Sequence, residues 1–224
     1  MAQLRDLART RERLLEAALA EFAAHGLAGA RCATIARRAR VNQRMIFYCF
    51  GSKENLYREI LRRKFTARAD FFESAPEDLA GAILHWYEAG ASDLDWVRLL
   101  EWEALSTNSS KLVGENERRE YLKRAFGRLR RAQTAGTLPP ELDIAQLHLS
   151  IISLTLFPLA FPQMTRLATG LDPTDPSFRR KRLQFLRWLG DRLADGKTAT
   201  ASSSRGKRVK TNGKVEHLTS VRVD

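Results

Sequence analysis

Apolar residues recur along this chain with a helical period, and past Pro76 no alternating pattern specifies a strand. The stretch Ala33 to Phe50, ATIARRARVNQRMIFYCF, organises the rest. Its apolar positions Ile35, Ala36, Ala39, Val41, Ile46 and Phe50 fit two short helices joined by a tight turn, a helix-turn-helix. At about 100° per residue the second helix turns Ile46 and Phe50 inward. Arg44 and Tyr48 then point away from the buried side, flanked by Met45 and Phe47. A cation, a phenol and two large apolar side chains on an outward face suit a helix lying in a DNA major groove. The same spacing also fits a plain three-helix core fragment with a decorated surface.

The flanking pattern adds more helices. Leu14, Leu15, Ala18 and Phe22 make an amphipathic helix with Thr10 as its expected N-cap and Gly26 as its stop. A helix starting at Lys53 runs to about residue 74. Beyond it, PEDLAGAILHWYEAG reads as a helix with Pro76 in its first turn, followed by DLDWVRLLEWEAL and the long ENERREYLKRAFGRLRRAQTAG, with Asn108 to Gly114 as the loop between the last two. IAQLHLSIISLTLFPLAF is apolar on most of its circumference and is expected to be buried on several sides, kinked or ended by Pro158 and Pro162. MTRLATG continues it to a loop. The last helix carries Phe178, Leu183, Leu186, Leu189 and Leu193 on or near one face. The expected fold is all-α, with about nine helices.

Four segments follow from this reading: a basic arm over 1–9, a helix-turn-helix DNA-binding domain over 10–61, a separate helical domain over 75–195, and a disordered basic tail over 196–224. The net charge of +12 on 224 residues argues for a polyanionic partner, either nucleic acid or an anionic membrane surface. No apolar run is long enough to span a bilayer and the amino terminus reads as a charged helix, so the expected location is cytoplasmic, with no membrane partner. Cys32 and Cys49 have neither zinc-ligand nor disulfide-scaffold spacing, and four scattered histidines form no ligand set. Neither a metal nor a cofactor is expected. A phosphate-binding glycine loop, HExxH and a serine nucleophile elbow are all missing, which argues against catalysis.

Read in order, TRERLLEAALAEFAAHG, IARRARV and IFYCFGSKENLY resemble the amino-terminal domain of the TetR family of bacterial transcription regulators. The resemblance spans Thr10 to Leu61. Ala17, Phe22, Gly26, Ile35, Ala36, Ala39, Val41, Phe47, Phe50, Ser52, Lys53, Glu54 and Leu56 fall at the family spacing. It implies a homodimeric repressor on double-stranded DNA, reading a pseudo-palindromic operator with one recognition helix per half-site and released by a small-molecule effector. The effector would act by moving the helix that starts at Lys53.

The resemblance assigns base reading to Gln43, Arg44 and Met45, which suit adenine, guanine and a thymine methyl respectively. Phe47 replaces the family's phosphate-binding tyrosine, while Tyr48 keeps a hydroxyl. Lys53, just after the cap Ser52, resembles the phosphate-binding lysine. Arg31 stands where the family supplies a capping Ser or Thr, a loss worth on the order of 1 kcal/mol unless replaced. Arg40 stands in place of the turn glycine, and Cys32 in place of a buried apolar residue. Arg5, Arg9 and Arg11 are further candidates for phosphate contacts. Positions 144–157 and 178–193 are the expected dimer helices, and Trp86, Tyr87, Trp96, Trp102, Phe126 and Phe157 the expected effector pocket. His85, Phe161 and Met164 are further candidates for it, with Arg98, Glu101 and Glu103 near Trp96 and Trp102 to orient a polar ligand. The alternative is an architectural protein that coats DNA with little sequence preference.

Overall fold

The computed structural model describes residues 2–106 and 112–194. The tail expected over 196–224, and most of the loop expected at 108–114, lie outside the described residues. Among the described residues the chain forms ten helices: α1 (Ala2–Gly29), α2 (Cys32–Ala39), α3 (Arg44–Phe50), α4 (Lys53–Glu73), α5 (Leu79–Ala91), α6 (Leu94–Ala104), α7 (Glu115–Thr134), α8 (Ile144–Ala160), α9 (Pro162–Thr169) and α10 (Pro176–Ala194). The fold is all-α.

Four expectations need correction. The arm over 1–9 is helical from Ala2 and continuous with α1, so Thr10 lies inside that helix and caps nothing. Gly26 does interrupt α1, at φ 64 and ψ 178. A β-carbon there would lie 2.9 Å from the Trp102 ring, so the position needs glycine for space as well as for its positive φ. Pro76 precedes α5 instead of entering its first turn. The helix starts at Leu79 because Asp78 caps it, its carboxylate accepting from the Gly81 N–H at 2.6 Å.

The tenth helix arises at Phe161, where the chain turns by 88° and begins α9 with Pro162 at its first position. Pro158, by contrast, stays inside α8. Proline has no N–H to give to the carbonyl four residues back. Arg182 of α10 donates to that Leu154 carbonyl instead. No single helix among the described residues is long and apolar enough to cross a membrane; α8 and α9 reach that composition only as a bent pair.

Two cores hold the molecule. The reader core gathers Leu14, Phe22, Ile35, Ile46, Leu56 and Leu61, and borrows Trp96 and Leu99 from α6. The body core gathers Ile83, Tyr87, Val97, Leu129, Ile151 and Leu186. Helix α6 thus gives one face to each core and fastens them together. At α5 and α10 the backbones nearly touch, since a β-carbon on Gly190 would lie 2.5 Å from Ala80 Cα. One side of α8 is open: Leu149 is 58% exposed and Phe157 51%.

Candidate nucleic-acid interface and the cavity behind it

Arg31, at the N-cap of α2, makes no side-chain capping bond. A different bond, from α1, holds this end of the helix. Glu21, buried in the reader, accepts the Arg31 N–H on Oε1 at 3.2 Å, with Arg38 3.8 Å from its other oxygen. The turn then passes through Arg40 at φ 52 and ψ 47, the left-handed region where glycine fits best. That geometry lets the Arg40 N–H close α2 on Ala36 and Arg37, and Arg13 donates to the Arg40 carbonyl at 3.2 Å. Asn42 starts α3 by accepting the Arg44 N–H on Oδ1 at 2.9 Å.

The face of α3 follows the helical wheel. Ile46 and Phe50 are buried, Gln43 and Arg44 are exposed, Phe47 is half exposed and Tyr48 is 72% exposed. Met45 is partly buried against the reader core, so it reaches outward less than its neighbours. Arg31, Arg37, Arg38, Arg40 and Arg44 are all exposed and give this side a cationic surface. Lys53 donates to the Ala30 carbonyl at 3.2 Å and lies 3.5 Å from that of Ala28, while Ser52 caps α4 by accepting the Asn55 N–H at 3.0 Å. Arg11 is turned inward. It donates to the Cys49 carbonyl at 2.8 Å and lies over the Phe50 ring, closing the C-terminus of α3 instead of offering its charge to phosphate. Arg5 is exposed, and Arg9 is exposed beside Asp6 at 3.1 Å. Cys32 and Cys49 are free thiols, and burial pushes Cys49 up, away from the reactive thiolate.

Behind the reader, α4 to α8 enclose a cavity of about 450 Å³. Of the six residues expected to line a pocket, Trp86 and Trp96 do so. Tyr87 is wholly buried in the body core, and Phe126 packs edge-on to His148 outside the lining. Trp102 docks on the reader, its Nε1 donating to the Ala23 carbonyl at 3.1 Å. Phe157 is on the outside of α8, 4.9 Å from Phe161, and Met164 is also exposed. His85 stacks on Phe71 at 3.7 Å, while Arg98 lies 3.7 Å from Asp95.

The rest of the lining comes from other residues, many of them on α4, α7 and α8. Helix α4 supplies Phe65, Arg68 and Phe71, α7 supplies Arg118 and Tyr121, and α8 supplies His148. Arg68 lies over the Trp96 ring at 4.7 Å and donates to Asp93 at 3.3 Å; Arg118 lies over Phe65 at 4.3 Å and donates to Glu103 at 2.6 Å. His148 is buried among the rings of Trp86, Tyr121 and Phe126, and its Nδ1 has no hydrogen-bond partner among the described residues. Burial pushes the imidazole below its ordinary pKa and the Tyr121 phenol up to about 12, so both are neutral near pH 7. One signal for this site was present in the sequence: His148 is a polar break in an otherwise apolar helix. Glu21 gave no such signal.

A helix-turn-helix with a cationic, aromatic outer face, fastened to a helical body that encloses a cavity, defines a DNA-binding transcription regulator. Residues 14–60 match the family described as bacterial regulatory proteins, tetR family, and residues 78–186 match the tetracyclin repressor-like C-terminal domain. The chain belongs to the TetR family of transcription regulators. It is 32% identical over 166 residues to the HTH-type transcriptional repressor SCO4008 of Streptomyces coelicolor, covering 74% of this chain and 86% of that one. It is 30% identical over 163 residues to the HTH-type transcriptional repressor NicS of Pseudomonas putida, covering 66% and 75%. The crystal structure of the putative transcriptional regulator SCO4942 from Streptomyces coelicolor superposes with a TM-score of 0.68 at 28% identity, covering 80% of this chain and 97% of that one.

Proposed function

We propose that this regulator is a ligand-responsive repressor that binds a pseudo-palindromic operator as a homodimer, with one α3 per half-site in the major groove. One observation carries the reading. Helix α4 begins in the reader at Lys53 and further along presents Phe65, Arg68 and Phe71 to the cavity. A molecule filling the cavity presses on the same rigid helix that positions the reader, so its binding energy can favour a different reader spacing. Gln43, Arg44 and, with shorter reach, Met45 read bases. Arg31, Phe47, Tyr48 and Lys53 lie along the backbone side, where contacts fix register more than sequence.

Dimerisation is supported by the exposed apolar surface of the last helices. Phe157, Phe161 and Met164 around α8 and α9, and Phe185 and Trp188 on α10, are each between 44% and 56% exposed. Large apolar side chains clustered in this way mark an interaction surface, and a second copy would cover them in a four-helix bundle of α8 and α10.

The test is selection of bound sequences from a random DNA pool, with a salt titration on the winning site and on scrambled DNA. A two-fold-symmetric site with an advantage of ~10³ or more is the expected result. No enrichment, with equal salt slopes on both duplexes, would leave charge-driven coating of DNA as the activity. On the selected site, Arg44→Ala should cost about 1–3 kcal/mol and relax preference at one base position in each half-site.

A further inference from the structure

We propose that the cavity takes an uncharged polycyclic aromatic molecule bearing a single hydroxyl or carbonyl, its rings packed on Trp86 and Trp96 and its polar group hydrogen-bonded to His148. The proposal rests on reading the cavity as the effector site and names the chemistry of what fills it.

Size and lining come first. About 450 Å³ is within the range of pockets that hold drug-sized ligands. Rings from Phe65, Phe71, Trp86 and Trp96 reach it from three different helices. Its exposed lining carries Leu122 at 37% exposure, Leu112 at 48% and Leu149 at 58%, together with the Glu115–Arg119 ion pair. A strongly hydrated molecule would lose its water against such walls with little in return.

Charge decides between classes. Three guanidiniums face the cavity, and each already has a carboxylate: Arg68 with Asp93 at 3.3 Å, Arg118 with Glu103 at 2.6 Å, and Arg119 with Glu115 at 2.6 Å. An anion at Arg118 would have to displace Glu103 from a part-buried pair, whereas Asp93 would keep Lys64, at 2.7 Å, if it lost Arg68. A cation would meet three guanidiniums. A neutral molecule disturbs none of the pairs.

The polar group is placed by His148, and the Arg68 Nε, also on the lining and without a hydrogen-bond partner among the described residues, is a second donor for a carbonyl. His148 is 3% exposed, it lines the cavity, and its Nδ1 lacks a hydrogen-bond partner among the described residues. Its ring contacts are with aromatic faces and edges. A neutral imidazole offers one donor and one acceptor, so either a hydroxyl or a carbonyl can pair with it.

The test titrates the full chain with four fluorescent probes that share one ring system: pyrene, hydroxypyrene, pyrenesulfonate and pyrenemethylammonium. Energy transfer from tryptophan to the probe reports binding next to Trp86 and Trp96. Hydroxypyrene should bind saturably and ~10-fold or more tighter than each of the other three, the factor expected for one buried hydrogen bond or one avoided charge. In His148→Phe the advantage of hydroxypyrene over pyrene should vanish while pyrene itself binds within about 2-fold of its original affinity, since the aromatic wall is kept. The four-probe ranking on the native chain decides the matter even where that buried substitution fails to fold. A tighter fit of the sulfonate or the ammonium, or no saturable binding by any probe, overturns the proposal.

A second measurement separates this chemistry from the functional reading beneath it. The selected operator is titrated with and without saturating hydroxypyrene. Tight hydroxypyrene binding with unchanged operator affinity supports the ligand chemistry and defeats ligand control of DNA binding. Release of DNA by a charged probe that binds best does the reverse.

Discussion

In the reader, Leu14, Phe22, Ile35 and Ile46 have no exposed surface, and Phe22 meets the Tyr57 ring edge-on at 5.0 Å. In the body, five helices that supply equally apolar side chains leave about 450 Å³ between them, and the His148 Nδ1, Tyr87 hydroxyl and Arg182 Nε lack hydrogen-bond partners. Among the described residues the reader has one comparable atom, Glu21 Oε2, and Arg38 is 3.8 Å from it. Buried polar groups are nearly always paired in folded proteins, so the unpaired His148 on the wall of a void marks where a structure awaits something. The reader is packed for a single geometry. The body holds space and hydrogen-bonding capacity in reserve.

The largest expected effect tests that contrast directly. Phe22→Ala should cost about 3–5 kcal/mol, because the aromatic contacts of a fully buried ring are lost into a site with little room to collapse. Ile152→Ala, on the cavity wall and only partly buried, should cost below ~2 kcal/mol, since one side of that side chain already faces empty space. Denaturant titration of both variants gives the comparison. Equal losses would mean that the wall is packed as tightly as the reader core.

The same contrast explains what the sequence revealed. The reader's working parts are neighbours in the chain, so one helical wheel placed Ile46 and Phe50 inward and Tyr48 outward, as the structure does. The cavity is assembled from α4 to α8, and its lining depends on how distant helices cross. An aromatic side chain on a helix faces core, cavity or solvent according to neighbours that spacing alone does not identify. Trp86, Trp102 and Phe157 look alike in sequence, yet they line the cavity, dock on Gly26 and face outward respectively. Arg11 and Glu21 were hidden for the same reason. Each serves a helix terminus far along the chain, at Cys49 and Arg31.

The next effect concerns strain in the tightly specified part. Arg40 holds a left-handed conformation that disfavours any residue with a β-carbon. Arg40→Gly should therefore gain up to about 1 kcal/mol and raise the melting temperature by ~2–4 °C, the relief being partly offset by the freer unfolded glycine. A melt of the DNA-free chain isolates this from any loss of phosphate affinity. A lowered melting temperature would show that the Arg40 side chain contributes more than its backbone costs.

The smallest effect is electrostatic and depends on pH. Glu59 accepts hydrogen bonds from Arg62 at 2.9 Å and Arg63 at 3.0 Å, and Arg63 also holds Glu12, which fastens α1 to α4. Hydrogen bonding by Arg62 and then Arg63, working against burial, brings the Glu59 carboxyl down from 4.5 to about 2. A carboxyl depressed on folding stabilises the folded chain above its unfolded pKa and loses that contribution as pH falls through the folded value. Glu59→Gln should therefore be less stable than the parent above pH 4.5, with the gap closing toward pH 2. Because Arg62 and Arg63 are 47% and 39% exposed, the gap should stay within about 1 kcal/mol even at neutral pH. Urea titrations of both chains at successive pH values measure it. A gap that persists undiminished in acid would assign the loss to packing between α1 and α4, leaving the reader's rigidity to its apolar core.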